Sequence, residues 1–353
     1  MFRSARRFLS CLVFALPGLA HAYTACVGTA DELDAAMSQA TTSTDPSITI
    51  RIREGTYAAG GGNAFYLVLT HSNQAVSISG GWSGASCATH RLGAESGTVL
   101  VGTTALTALE LNAGLSTSGN TINVTDLTLR NVQGIINVDI GACLDVVMNP
   151  GSTARLHRLR LDGCAGGSAA ILNNAGGDLV LANSVVQGGF NSNAPVRSLN
   201  NNAVTRLAHL TITGNAGIST SQEATGLSIF AAANFPSQIT LDDSIVWGGT
   251  GPEGIPDIAT NGPGIVFTRV HYETRSFLNA TITDNVPSHG NPGFLTPTHP
   301  RLRADSPLVD SGVATGIGGS NDVDGDARMQ GAAVDVGAYE TNPDRIHADG
   351  FDH

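Results

Sequence analysis

Three residues with complementary chemistry, His209, Asp243 and Arg269, stand at the same place in consecutive copies of one six-residue pattern. A histidine polarised by a carboxylate can act as a general base, and an arginine can hold an acidic sugar through two parallel hydrogen bonds. The full column at that place reads Asp126, Arg158, Asn183, His209, Asp243 and Arg269. It therefore also fits a surface ladder of opposite charges that satisfy one another, each pair contributing little. Asp242 and Asp243 make no convincing glycosidase pair, since neighbours at a bend need not converge. A second set, Asp322, Asp324 and Asp326, alternates around a glycine in a polar segment and offers the hard oxygen ligands that suit calcium. Its spacing is not that of an EF-hand loop, which places its glycine differently and ends in a glutamate. Asp-Gly also serves simply to shape a turn. Trp82 and Trp247 have faces that stack on sugars or, equally, fill a rung or a loop.

The pattern that aligns these residues is apolar, x, x, apolar or Ser, x, apolar. It occurs at 124–129, 156–161, 181–186, 207–212, 241–246 and 267–272, with starts 25 to 34 residues apart, as expected for one turn of a solenoid with variable loops. Side chains of a straight strand alternate, so the first, fourth and sixth positions cannot share one face. A bend at the second and third positions resolves this. The first residue then closes one strand, and the fourth and sixth point inward from the next. Neighbouring copies pair in parallel at about 4.8 Å per rung, and the expected fold is all-β, a right-handed parallel β-helix. An antiparallel β-sandwich is the runner-up and lacks its tight hairpin signals. The outward fifth position carries Thr128, Arg160, Val185, Thr211, Ile245 and His271. Arg160 and His271 lie four rungs apart, about 19 Å, and cannot act as a pair.

Upstream, Thr29-Ala30-Asp31-Glu32 fits a capping box, and Leu33, Ala36, Met37 and Ala40 recur at helical spacing, so a short capping helix is expected over 30–39. Strict alternation over 48–52 marks a strand, residues 54–57 a turn, and 76–79, 98–101 and 109–111 further strands.

The first residues address the chain for export. Arg3, Arg6 and Arg7 precede an apolar run too short to span a bilayer, and Ala20-His21-Ala22 is a small-x-small cleavage pattern, so residues 1–22 are expected to be a secretory signal peptide. Removing them leaves Cys26, Cys87, Cys143 and Cys164 in an oxidising compartment. Of three connectivities, Cys143 with Cys164 suits neighbouring rungs, because their separation is one short turn, and Cys26 with Cys87 then follows. Metal ligation lacks its usual Cys-x-x-Cys or histidine spacing. Lysine is absent, and residues 23–353 carry 15 Arg against 29 acids, a formal charge of −14. Such a surface disfavours nucleic acid and anionic membrane as partners. No other segment is long and apolar enough to cross a membrane, and a soluble monomer is expected.

The hexapeptides with their following Gly or Asn, as in Leu210-Thr211-Ile212-Thr213-Gly214-Asn215, resemble the parallel β-helix repeats of secreted bacterial proteins. Gly166-Gly167-Ser168-Ala169-Ala170-Ile171, with Leu181-Ala182-Asn183-Ser184 after it, is similar to polymorphic outer-membrane proteins. Asn291-Pro292-Gly293-Phe294, Ser306-Pro307-Leu308-Val309-Asp310-Ser311-Gly312, Asp322-Val323-Asp324-Gly325-Asp326-Ala327-Arg328 and Asp335-Val336-Gly337-Ala338-Tyr339-Glu340, in that order, resemble the choice-of-anchor Q domain. The resemblance implies a secreted or surface-attached β-helix, and the tail Ala348-Asp349-Gly350-Phe351-Asp352 resembles one seen on exported proteins of some Gram-negative bacteria, which implies such a host. The chain departs from the better known members after Glu340, where no apolar sorting helix with a basic stop follows. The expected organisation is a signal at 1–22, a β-helix over 23–341 with a cap at 23–60 and a closing segment at 291–340, and a tail at 342–353. The expected function is noncatalytic adhesion to a surface glycan or cell-surface protein, with no cofactor, or calcium at Asp322, Asp324 and Asp326. The alternative is a polysaccharide lyase or glycoside hydrolase acting on an extracellular glycan, with His209, Asp243 and Arg269 as its candidate catalytic residues.

Overall fold

In a computed structural model the chain is a right-handed parallel β-helix with one short helix near its N-terminus. The structure describes residues 22–341 apart from 61–63, 95–96, 104–106, 115–116, 133–139, 218–222, 279–281, 286–288 and 297. The expected signal peptide, save Ala22, and the tail at 342–353 lie outside the described residues.

The first four hexapeptides sit in the longest strands, and the bend splits the last two between Gln238–Asp242 and Ile245–Trp247 and between Ile265–Thr268 and His271–Tyr272. Thr121–Arg130, Thr153–Asp162, Asp178–Gln187 and Val204–Thr213 pair in parallel and in register, so that Leu156 lies beside Val124 and Leu181, and Leu181 beside Leu207. The first, fourth and sixth positions are all buried in one continuous core. The bend falls on the third position alone. Asp126, Arg158, Asn183, His209, Asp243 and Arg269 have φ of 62, 53, 48, 51, 44 and 54°, the left-handed region, while the second position keeps its pairing, as His157 does with Thr125 and Ala182. Aspartate and asparagine tolerate this conformation, but for Arg and His it costs roughly 1–2 kcal/mol each, so other contacts must hold them there.

The bend also interrupts the ladder of backbone hydrogen bonds, and the serines of the pattern repair it. Ser184 Oγ accepts from the Leu159 amide at 3.2 Å and donates to Ala182 O at 2.8 Å. Ser244 does the same for the Leu210 amide at 3.0 Å and Asp242 O at 2.7 Å. Serine at the fourth position is thus a backbone partner, which explains why it alternates there with apolar residues.

A second, eight-stranded sheet closes each turn. It runs through Phe65–Val68, Leu109–Asn112, Gly141–Met148, Ser168–Ala175, Val196–Asn201, Leu227–Ala231, Ile258–Asn261 and Arg275–Leu278. The helix Ala30–Thr42 buries Leu33, Ala36, Met37 and Ala40 over the first rungs. Thr29 Oγ1 accepts from the Glu32 amide at 3.2 Å, and Glu32 reaches back to the Gly28 amide at 2.7 Å. The helix runs three residues beyond the expected 39, because Ala40 continues the buried stripe. The expected turn at 54–57 is instead a corner at Gly55, φ 151°, after which Gly55–Ala58 continues as a strand parallel to Thr98–Val101. Disulfides join Cys143 to Cys164, as expected from the turn length, and Cys26 to Cys87, as expected by elimination. No helix among the described residues is long and apolar enough to cross a membrane.

Residues after the last rung turn back. An antiparallel pair, Phe294–Thr296 with His299–Leu302, leads into a run with no further named strand that lies along the outside of the first sheet.

Candidate functional site

That closing run decides the fate of the candidate residues. Val185, Ala94, Val323, Ala338 and Tyr339 form one apolar cluster, and Ile245, Leu302, Leu308 and Val336 another. The Ala338 amide donates to Thr211 Oγ1 at 2.9 Å, and the Gly337 amide to Asp243 O at 2.8 Å. Gly337 has φ 104°, and a Cβ there would stand 2.8 Å from Ile245 Cδ1 and 2.9 Å from Thr211 Oγ1, so only glycine allows this approach. Of the fifth-position residues expected to face outward, Thr128, Val185, Thr211, Ile245 and His271 are buried, and Arg160 is half-buried. Their side chains do point away from the core of the helix, but onto other parts of the chain.

The bend column is covered in the same way, which corrects the expectation of a solvated charge ladder. Asp126, Asn183 and Asp243 have no exposed surface and His209 is 2% exposed. Opposite charges do pair across rungs: Arg158 holds Asp126 at 2.7 and 3.0 Å, and Arg269 holds Asp243 at 2.6 and 3.1 Å, each through two parallel hydrogen bonds. The closing segment and the excursion around residue 93 occupy what remains. The Gly93 amide donates to Asp126 Oδ1 at 2.6 Å, Asn183 Nδ2 donates to Gly318 O at 2.6 Å and Asn321 O at 2.7 Å, and the Val313 amide donates to Asp243 Oδ1 at 3.3 Å.

His209, Asp243 and Arg269 are consecutive in the column, but Nδ1 of His209 lies 2.6 Å from Nη2 of Arg328. Arginine only donates, so Nδ1 accepts and the ring proton belongs on Nε2. Burial, Arg328 and Arg269 together push the imidazole down to about 2, which leaves it neutral and a weak base. Arg328 is itself buried. Its Nη2 also donates to Asp335 O at 2.9 Å and Gly337 O at 2.6 Å, and its Nε lies 3.9 Å from Glu340 Oε2. Burial, and then Asp335, raises Glu340 to about 8. Sequence spacing gave no signal for Arg328, which comes from 119 residues away to meet His209.

Asp322, Asp324 and Asp326 do converge, each offering an oxygen within 4.8 Å of the others. Asp322 Oδ1 accepts from the amides of Asp324 at 3.0 Å and Asp326 at 2.8 Å, and Oδ2 from the Glu340 amide at 2.9 Å. Asp324 pairs with Arg301. Burial raises Asp322 to about 6, with Asp326 adding to the shift. Both tryptophans pack internally. Trp82 stacks on His90 at 4.3 Å with Arg51 4.4 Å from its ring centre, and Trp247 leans on His271 at 5.6 Å.

A carboxylate pair outside this region was missed from the sequence. Glu110 and Asp145 are register partners on adjacent strands of the second sheet, with Tyr66 beside Glu110 on the other side. Burial and then Glu110 raise Asp145 to about 7, and burial raises Glu110 as well. The only sequence signal was a single acid between core residues, in Leu109-Glu110-Leu111 and Leu144-Asp145-Val146.

No protein-family model matches the chain, and no curated protein does. Among solved structures, the crystal structure of pectate lyase Pel9A is similar over 86% of this chain and 90% of its own, at 15% identity and a TM-score of 0.29.

Proposed function

We propose that this is an exported, noncatalytic β-helix protein that adheres to a surface glycan. One observation carries this reading: the face where the repeat aligns its chemistry is occupied by the chain's own closing segment, with His209 neutral and bonded to Arg328 and Asp243 locked to Arg269. A polymer has no access to His209 or Asp243 while the segment is docked. Export is supported by the signal-like residues 1–22 and by two disulfides. The order of motifs from Asn291 to Glu340 resembles the closing part of a choice-of-anchor Q domain, which fits a surface protein. The test is to incubate the purified disulfide-bonded protein with neutral and acidic polysaccharides, with and without calcium. Retention of a glycan with no new reducing or unsaturated ends is expected, and depolymerisation would overturn the reading.

A second reading, glycan hydrolysis, is favoured by the Glu110–Asp145 pair. Glu110 and Asp145 stand on adjacent strands, whose backbones lie about 4.8 Å apart, and a carboxyl still protonated near neutral pH beside another suits an acid with a partner carboxylate. On this reading Asp145→Asn abolishes release of reducing ends, and a wild-type protein that releases none removes it.

A further inference from the structure

With the bend column and the outward positions after it covered, the outer face of the second sheet is another regular surface that the rungs present. Its two outward columns differ in character. One carries Tyr66, Glu110, Asp145, Ile171 and Arg197, the other Asn112, Val147, Asn173, Leu199 and Phe230, each on strands in parallel register. Tyr66 is 43% exposed and Phe230 42%, and Asn173 is exposed between them. The two aromatic rings stand on the first and sixth strands of the sheet, about 24 Å apart at the strand spacing. Beside the later strands, the loops before them stack into a low wall. Phe190–Asn191 pairs with Ala216–Gly217, Ala216 bridges to Thr250, and Ala194, Ala224 and Ala259 pack together. Buried asparagines stiffen that wall: Asn191 Nδ2 donates to Cys164 O and Asn215 Nδ2 to Val186 O, both at 3.1 Å.

The geometry points to this face as the binding surface for a linear, uncharged polysaccharide running along the solenoid and across the two columns, its end sugars stacked on Tyr66 and Phe230 and its hydroxyls met by Asn112, Asn173 and Glu110. Aromatic faces bind the apolar faces of sugars, and amides and carboxyls bind hydroxyls, so two rings five rungs apart with polar groups between them suit an extended chain of sugars. Charge decides the class. Arg197 is engaged with Glu223 at 3.4 Å and Asp145 is 8% exposed, which leaves Glu110 as the accessible unpaired charge of these columns. Polyuronates are repelled by that carboxylate, whereas a neutral glycan receives it as an acceptor.

This inference rests on the glycan-adhesion reading and is tested separately from it. The purified protein is run in affinity electrophoresis through gels containing soluble β-glucan, galactomannan or polygalacturonate. Retardation by a neutral polymer and none by polygalacturonate is expected. Tyr66→Ala and Phe230→Ala each weaken retention about tenfold or more, as loss of one aromatic anchor does. Met329→Ala, an exposed control on the closing segment, leaves it unchanged. Each variant is confirmed folded by a cooperative thermal transition, and retention is compared well below its midpoint. Stronger retention by polygalacturonate, retention that survives both aromatic substitutions, or none by any polymer overturns the face. Release of reducing ends sinks only the noncatalytic reading.

Discussion

Replacing Arg328 by methionine tests whether the closing segment is held as a latch. The substitution removes the donor from three acceptors, His209 Nδ1, Asp335 O and Gly337 O, and the cation nearest Glu340. Each buried acceptor left unpaired costs about 1–3 kcal/mol, and breaking a buried charge pair about 3–5 kcal/mol. Methionine fills most of the volume, and Glu340 relieves itself by staying protonated, so a net loss of about 3 kcal/mol is expected. The loss is local. In hydrogen exchange the amides of Val336, Gly337 and Ala338, bonded to Leu308 O, Asp243 O and Thr211 Oγ1, lose about a hundredfold in protection. The amides of Leu159 and Leu210, bonded to Ser184 and Ser244 inside the rungs, keep theirs. Adding Glu340→Gln recovers part of the loss, since the two sites share one network. A loss below about 1 kcal/mol, or equal deprotection at Leu159 and Leu210, would refute the latch.

Stability falls as pH rises from about 4 to about 8. Glu340 and Asp145 titrate near 8 and 7 when folded and near 4 when unfolded, so the native state holds the extra protons between those values. Each then removes up to about 1.4 kcal/mol per pH unit as pH rises from about 4 to its folded value; urea unfolding should show a shallower slope in Glu340→Gln. His209 acts oppositely. Held at about 2 against an unfolded value of 6.5, it costs stability as pH falls below 6.5, and His209→Gln should flatten the acid limb of the same titration. Reducing the disulfides should cost about 3 kcal/mol for Cys143–Cys164 and about 4 kcal/mol for Cys26–Cys87, whose separations are 21 and 61 residues; Cys-to-Ala pairs measured by chemical unfolding check the order. Calcium should leave the melting temperature unchanged relative to chelator. Asp322 already accepts three backbone amides and Asp324 pairs with Arg301, so a calcium-dependent rise would contradict that assignment.

The rungs were legible in the residues because inward positions repeat at fixed local spacing, and burial selects apolar side chains wherever that spacing recurs. Leu156, Leu159 and Leu161 declare themselves within six residues, and so does the bend between them. The helix was legible for the same reason, its cap and stripe both being local. Stacking copies in register also paired Asp126 with Arg158 and Asp243 with Arg269, since neighbours along the axis are equivalent places in the pattern.

Burial of those pairs was decided by tertiary structure alone. An outward side chain faces water or protein according to what the rest of the chain does, and here residues more than a hundred positions away return to lie on His209 and Thr211. The hexapeptide fixes the direction of a side chain, not its surroundings. Glu110 and Asp145 show the converse. Their strands lack the six-residue signature, so their adjacency came only from the register of the second sheet, where backbone pairing sets the distance between two carboxylates that sequence holds 35 positions apart.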